Sequence, residues 1–218
     1  LWTWLKLTGQ HQFLFTLAPS GLGDLGFPGL AERATGLGAH KTVPALLMIR
    51  LRDAFIVTAA ALMGFGQFSN TPGLFAGLAV LLLAMQFFLP AALKHIPSDW
   101  LKQRFWPTFL KPYIGQDRSY VLAGLLPLAI WTLPLIAIFT AFQAVSLSPS
   151  FLDLLLVIAV LNIAGAIGLT IGGLGVSEAG LAGALILMGH EPATAAAVAL
   201  SIRPVSYTHL TLPTTKNV

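Results

Sequence analysis

Seven residues near one end of the chain, Gly172-Gly173-Leu174-Gly175-Val176-Ser177-Glu178, combine a tight turn with a helix start. The glycines reach backbone angles closed to other residues. Ser177 is placed to cap the next helix, and Glu178 falls in its first turn, where the helix dipole favours an acid. A capped helix is the bland account of this pattern. The functional account is that free N–H groups at a helix start bind phosphate, while a neighbouring carboxylate holds an amine or a proton. An ionisable group in an apolar stretch is costly unless it has a task.

Arg50, Arg52 and Asp53 pose the same question in the first half of the chain. Each isolated charge at membrane depth costs about 2.5–3.5 kcal/mol on insertion scales. The spacing puts Asp53 on the same helix face as Arg50, at i,i+3, so the two are expected to pair. The alternative is a structural ion pair near the interface, with the arginines snorkelling outward. A faint repeat links the two regions. Gly21-Leu22-Gly23 is echoed by Gly173-Leu174-Gly175 and Gly38 by Gly189, and Arg52 follows Gly38 as Arg203 follows Gly189. Paired broken helices in corresponding halves point to a transporter's binding site. Asp153 reads as an acid at a helix start, and Asn162 as an interhelical hydrogen-bonding residue. The histidines lack ligand spacing and there is no cysteine, so neither a metal site nor a cofactor is expected.

The elements that must position these groups are apolar helices. Hydrophobic residues make up 56% of the chain and charged residues 9%, too few charges to cover a soluble fold, which has roughly 25%. The net charge of +4 is too small and scattered to suggest nucleic acid. A membrane-spanning helix needs about 20 mostly apolar residues. Segments 72–93, 119–145 and 150–170 satisfy this, and 42–66 has the length but carries the three charges. Residues 5–18 read as the end of a helix, and 177–203 as two short helices broken at Gly189-His190-Glu191-Pro192. The expectation is an all-α, polytopic membrane bundle with broken or re-entrant helices around 19–38 and 172–192. The basic loop 94–118 is expected on the cytoplasmic side, carrying an interfacial helix. Residues 204–218 read as a tail encoded by a sequencing adapter and are expected to be irregular, leaving 1–203 as one transmembrane domain truncated at both ends.

These motifs resemble the lysylphosphatidylglycerol synthase transmembrane family, also called flippase-like. Its second signature, approximately Pro-Gly-Gly-Leu-Gly-Val-x-Glu-Ala, is matched by Gly172, Gly173, Leu174, Gly175, Val176, Glu178 and Ala179, with later Gly189 and Arg203; Ile171 replaces the Pro. The first signature is matched by Pro19, Gly23 and Asp24, with Phe27 where an Arg is usual, and a later Arg-Leu-x-Asp element by Arg50, Leu51 and Asp53. The resemblance implies a bacterial or archaeal inner-membrane protein that moves lipid head groups between leaflets; in the multiple peptide resistance factor this domain is fused to a cytoplasmic aminoacyl-transferase domain.

The function expected is therefore a lipid translocase, not an enzyme. Its substrate-binding residues would be Gly23, Asp24, Arg50, Arg52, Asp53, Gly172, Gly173, Gly175, Ser177, Glu178 and Arg203. Its partners would be membrane phospholipids, with a lipid-modifying enzyme or a second copy of the chain. Two alternatives stand beside it: a secondary transporter for a small solute, and a membrane-embedded lipid-phosphate enzyme. The latter would need a Glu-rich cluster and a phosphate loop of Ser-Arg-Ser type, which the sequence lacks.

Overall fold

The computed structural model describes residues 2–17, 23–94, 119–167 and 174–208. Among these residues the chain forms eight helices and no strand: α1 (Trp2–Leu17), α2 (Gly23–Thr35), α3 (Ala39–Gly66), α4 (Pro72–Lys94), α5 (Ser119–Ala144), α6 (Phe151–Ile167), α7 (Val176–Leu187) and α8 (Pro192–Thr208). The fold is the all-α bundle that the sequence implies. Beyond Lys94, which ends α4, the basic loop and the interfacial helix expected within it lie outside the described residues.

Local chemistry sets the breaks. Gly36 ends α2 at φ 72° and Gly189 ends α7 at φ 92°, left-handed conformations that favour glycine. The Gly36 N–H donates to the Glu32 carbonyl at 2.8 Å, and the His190 N–H reaches back to the Leu185 carbonyl at 3.0 Å. Each half therefore has a short helix of 13 or 12 residues, a glycine stop and a following helix. Gly36, rather than Gly38, corresponds to Gly189. At the start of α6, the Ser150 N–H and hydroxyl donate to Asp153 Oδ2 at 2.9 and 2.7 Å, and the Asp153 N–H returns a bond to Ser150 Oγ. Asp153 is thus a capping residue in addition to being well placed in the dipole.

α6 is the hub. Its unbroken buried run, Leu154 to Ala159, faces α3 on one side and α7 and α8 on the other. One apolar cluster joins Leu156 and Val157 to Phe142, Leu181, Leu185, Ala195 and Val198, and a second joins Leu155, Ile158 and Ala159 to Ala60. Close approach depends on small residues, as is usual between membrane helices. A Cβ on Gly64 would lie 2.5 Å from the backbone of Leu156, and one on Gly66 2.5 Å from Phe75 Cβ.

Among the described residues one stretch, Gly124–Ala144 of α5, is long and apolar enough to cross a membrane by length and composition. Only 6% of its apolar window is buried, and Leu126, Ile130, Leu133 and Ile136 point outward. A core helix of a soluble protein would be covered; this one presents its apolar side chains to the surroundings.

Two local expectations are corrected. The Asn162 amide donates to the Ile158 carbonyl of its own helix at 2.7 Å, so its hydrogen bond is intrahelical. The four-residue spacing lets the side chain reach the preceding turn without a partner helix. In addition, α8 continues to Thr208, five residues into the segment expected to be irregular. The alanines at 193, 195–197 and 199 form helix strongly, and extending an existing helix is cheaper than starting one, so the helix runs on past the expected boundary despite Pro204.

Candidate functional site

The charges of the first half assemble into one cluster. Asp24 stands in the first turn of α2. It receives both edges of the Arg50 guanidinium from α3: Nε donates to Oδ2 at 2.7 Å and Nη2 to Oδ1 at 2.6 Å. This two-pronged geometry is the strong form of the pair. Arg50 also extends Nη1 to Asp53 Oδ2 at 3.5 Å, the i,i+3 pairing expected from the spacing. Two side chains from other helices complete the group. His11 of α1 places Nε2 2.8 Å from Asp24 Oδ1, and Trp131 of α5 donates its indole N–H to Asp53 Oδ1 at 3.0 Å. A carboxylate only accepts, so His11 Nε2 carries the proton.

Four helices thus contribute to a site that the sequence placed on two. Phe27, where the resemblance leads one to expect an Arg, packs its ring 4.8 Å from that of His11 and helps to position the imidazole. His11 and Trp131 were not singled out from the sequence. An indole N–H within an apolar helix requires a partner, which was the available signal for Trp131. The short separation between α1 and α2 gives no comparable pointer to His11.

The cluster sits deep in the bundle. The Gln67 amide donates to Asp153 Oδ1 at 3.3 Å, so the α3–α4 turn and the start of α6 share one end of the molecule. From that end Asp53 lies 13 residues into α3, and Trp131 lies 13 residues into α5, about 20 Å in each case at 1.5 Å per residue. The matching depths explain how the two side chains meet. Arg50 keeps 37% of its side chain exposed, so the cluster is open on one side. Arg52, two residues on, turns the other way into the buried stripe of α3 and is only 8% exposed. Gly23 is buried at the start of α2.

The second-signature residues have a different arrangement. Gly175 is the N-cap of α7 at φ 84°, and its N–H donates to Glu178 Oε2 at 2.7 Å. Glu178 closes the helix start by reaching back across three residues. The expected cap, Ser177, instead lies inside the first turn and is buried. The positive φ of Gly175 starts the helix two residues earlier than a Ser177 cap requires. Helix α7 packs against α6 and α8, whereas the Asp24–Arg50–Asp53 cluster is built by α1, α2, α3 and α5. Arg203 falls within α8, and Gly172 and Gly173 lie outside the described residues.

A family model described as Lysylphosphatidylglycerol synthase TM region matches residues 3–213, nearly the whole chain. No curated protein and no solved structure matches. The chain belongs to that family, the one its glycine-rich signatures resemble, and is a membrane domain.

Proposed function

We propose that this chain, as a member of the lysylphosphatidylglycerol synthase transmembrane family, is a lipid translocase that passes phosphate-bearing head groups between the leaflets of a bacterial inner membrane. The observation that carries this reading is the half-open Asp24–Arg50–Asp53 cluster about 20 Å inside a largely apolar bundle. Charges at that depth need water, a partner or a polar ligand on their open side. A groove with paired charges gives a zwitterionic or charged head group fixed opposite charges while its acyl tails remain in lipid. Arg50 is already held by two carboxylates, so the cluster as a whole presents carboxylate acceptors to the hydroxyls or the ammonium of a head group. Arg52 then supplies the nearest buried positive charge for the phosphate. Gly172, Gly173, Gly175, Ser177, Glu178 and Arg203 form the second-half counterpart in this reading, with the N–H groups at the start of α7 available to an anion.

The same reading makes the chain multi-pass, with loop 94–118 cytoplasmic, membrane phospholipids as its partners and no chemical step of its own. A lipid-modifying enzyme or a second copy of the chain is the natural protein partner. Proteoliposomes separate this from solute transport. Wild-type protein should expose inner-leaflet fluorescent phosphatidylglycerol to an external quencher and should not accelerate uptake of glycerol phosphate. Solute uptake without lipid movement would replace the translocase with a secondary transporter.

A further inference from the structure

Gln86 of α4 is 1% exposed, and neither its Nε2 nor its Oε1 meets a hydrogen-bonding partner among the described residues. It lies on the stripe Phe75, Ala79, Gln86, of which Phe75 is pressed against Gly66 of α3 and Ala79 is fully buried. The helices run antiparallel through the tight turn 67–71. Eleven residues on from the Gly66–Phe75 contact, Gln86 comes level with Phe55 and within one turn of Arg52, about 4.5 Å along the axis. Helix α5 also reaches this part of α4, where a Cβ on Gly124 would lie 2.5 Å from the Phe87 ring, and its Trp131, 13 residues in from the shared end, stands at the depth of Gln86, 14 residues into α4. The buried amide, the buried Arg52 and the Trp131–Asp53 bond therefore occupy one layer of the bundle.

A buried amide with both ends unpartnered is unusual, because such groups are nearly always hydrogen-bonded. An apolar residue of the same size would pack there without that penalty. We propose that Gln86 is a head-group-binding residue of an occluded position between α3, α4 and α5, where its Nε2 donates to a phosphodiester oxygen that Arg52 neutralises. Its Oε1 then accepts from a hydroxyl or ammonium of the same head group. This rests on the translocase reading and deepens it. The half-open Asp24–Arg50–Asp53 cluster is the entrance, and the Arg52–Gln86 layer is the closed position behind it. Entry requires α4 to move away from α3 at this level while the glycine-packed end near Gly66 stays joined.

The test uses purified protein in detergent and in proteoliposomes, with Gln86→Leu and Gln86→Asn beside wild type. The probes are dioctanoyl-phosphatidylglycerol and inorganic phosphate. In the absence of probe, Gln86→Leu should melt at or a few degrees above the wild-type temperature, because a dehydrated amide has been removed. Phosphatidylglycerol should raise the wild-type midpoint, and Gln86→Leu should weaken that binding about tenfold, with translocation falling in step. Gln86→Asn, which keeps the amide, should retain part of both. Wild-type binding and translocation in Gln86→Leu would overturn the proposal and leave the translocase reading standing. A Gln86-dependent shift as large with inorganic phosphate would assign the position to the free ion and overturn the lipid assignment. Lipid binding that depends on Gln86 without translocation would support this site and reject the translocase reading. No shift of the wild type by either probe would reject both.

Discussion

Asp24 and Arg50 are 26 residues apart in sequence yet share two short bonds, and each limits what the other can do. Removing one partner leaves the other charge uncompensated in a half-buried setting, which is worse than removing both. Asp24→Asn alone should lower stability by about 1–2 kcal/mol, discounted from a fully buried pair because Arg50 keeps Asp53 and part of its exposure. Thermal melts of the detergent-solubilised protein read this directly. Glu178 supports a sharper comparison. Gln at N3 can make the same reach-back bond, so Glu178→Gln should melt near wild type, whereas Glu178→Ala should lose about 1 kcal/mol. Translocation should be lost in both if the carboxylate's charge serves the head group. At this scale the sequence revealed the charged residues but not all their partners. The i,i+3 pairing of Arg50 with Asp53 follows from helix periodicity. The Asp24–Arg50 pair depends on how α2 folds back on α3, which spacing alone does not specify. Ser177 looked like a cap because its residue type suits one, but the positive φ of Gly175 moved the helix start upstream.

Helix contacts are where glycine substitutions separate. Gly64→Ala forces a Cβ to within 2.5 Å of the Leu156 backbone, which cannot move aside as a side chain can. This should destabilise the bundle by about 1–3 kcal/mol. Gly77→Ala, on the same hairpin with nothing within 4 Å, should be neutral or slightly stabilising. Equal melting temperatures for the two variants would contradict the α3–α6 packing described above. The existence of the helices and their breaks was legible, because apolar runs, Gly-rich links and prolines at the starts of α4 and α8 are local signals. Which helices pack was not. Nothing in the sequence of α6 marks it as the hub except an unbroken apolar run, a pattern α5 shares while facing outward.

The whole molecule has a testable sidedness. The Gln67–Asp153 bond puts the α3–α4 and α5–α6 connections at one end, so an inward loop 94–118 requires both of them to face outward. The chain has no cysteine, which makes single-cysteine labelling clean. Asn70→Cys and Ser148→Cys should react with an impermeant maleimide on intact spheroplasts, and Gln103→Cys only after the membrane is opened. The repeat was legible at this scale as echoing glycines and arginines. Its structural meaning, two helix–stop–helix units, required the left-handed Gly36 and Gly189. The central claim is that paired charges deep in the bundle carry head groups across. The most direct measurement is the fraction of inner-leaflet fluorescent phosphatidylglycerol that reaches an external quencher in proteoliposomes containing the double variant Asp24→Asn/Arg50→Gln. The Asp24–Arg50 pair leaves together and Asp53 keeps the Trp131 indole N–H, so the variant should insert and melt within a few degrees of wild type while its translocation falls to that of protein-free vesicles. Wild-type translocation in a properly folded double variant would contradict the account.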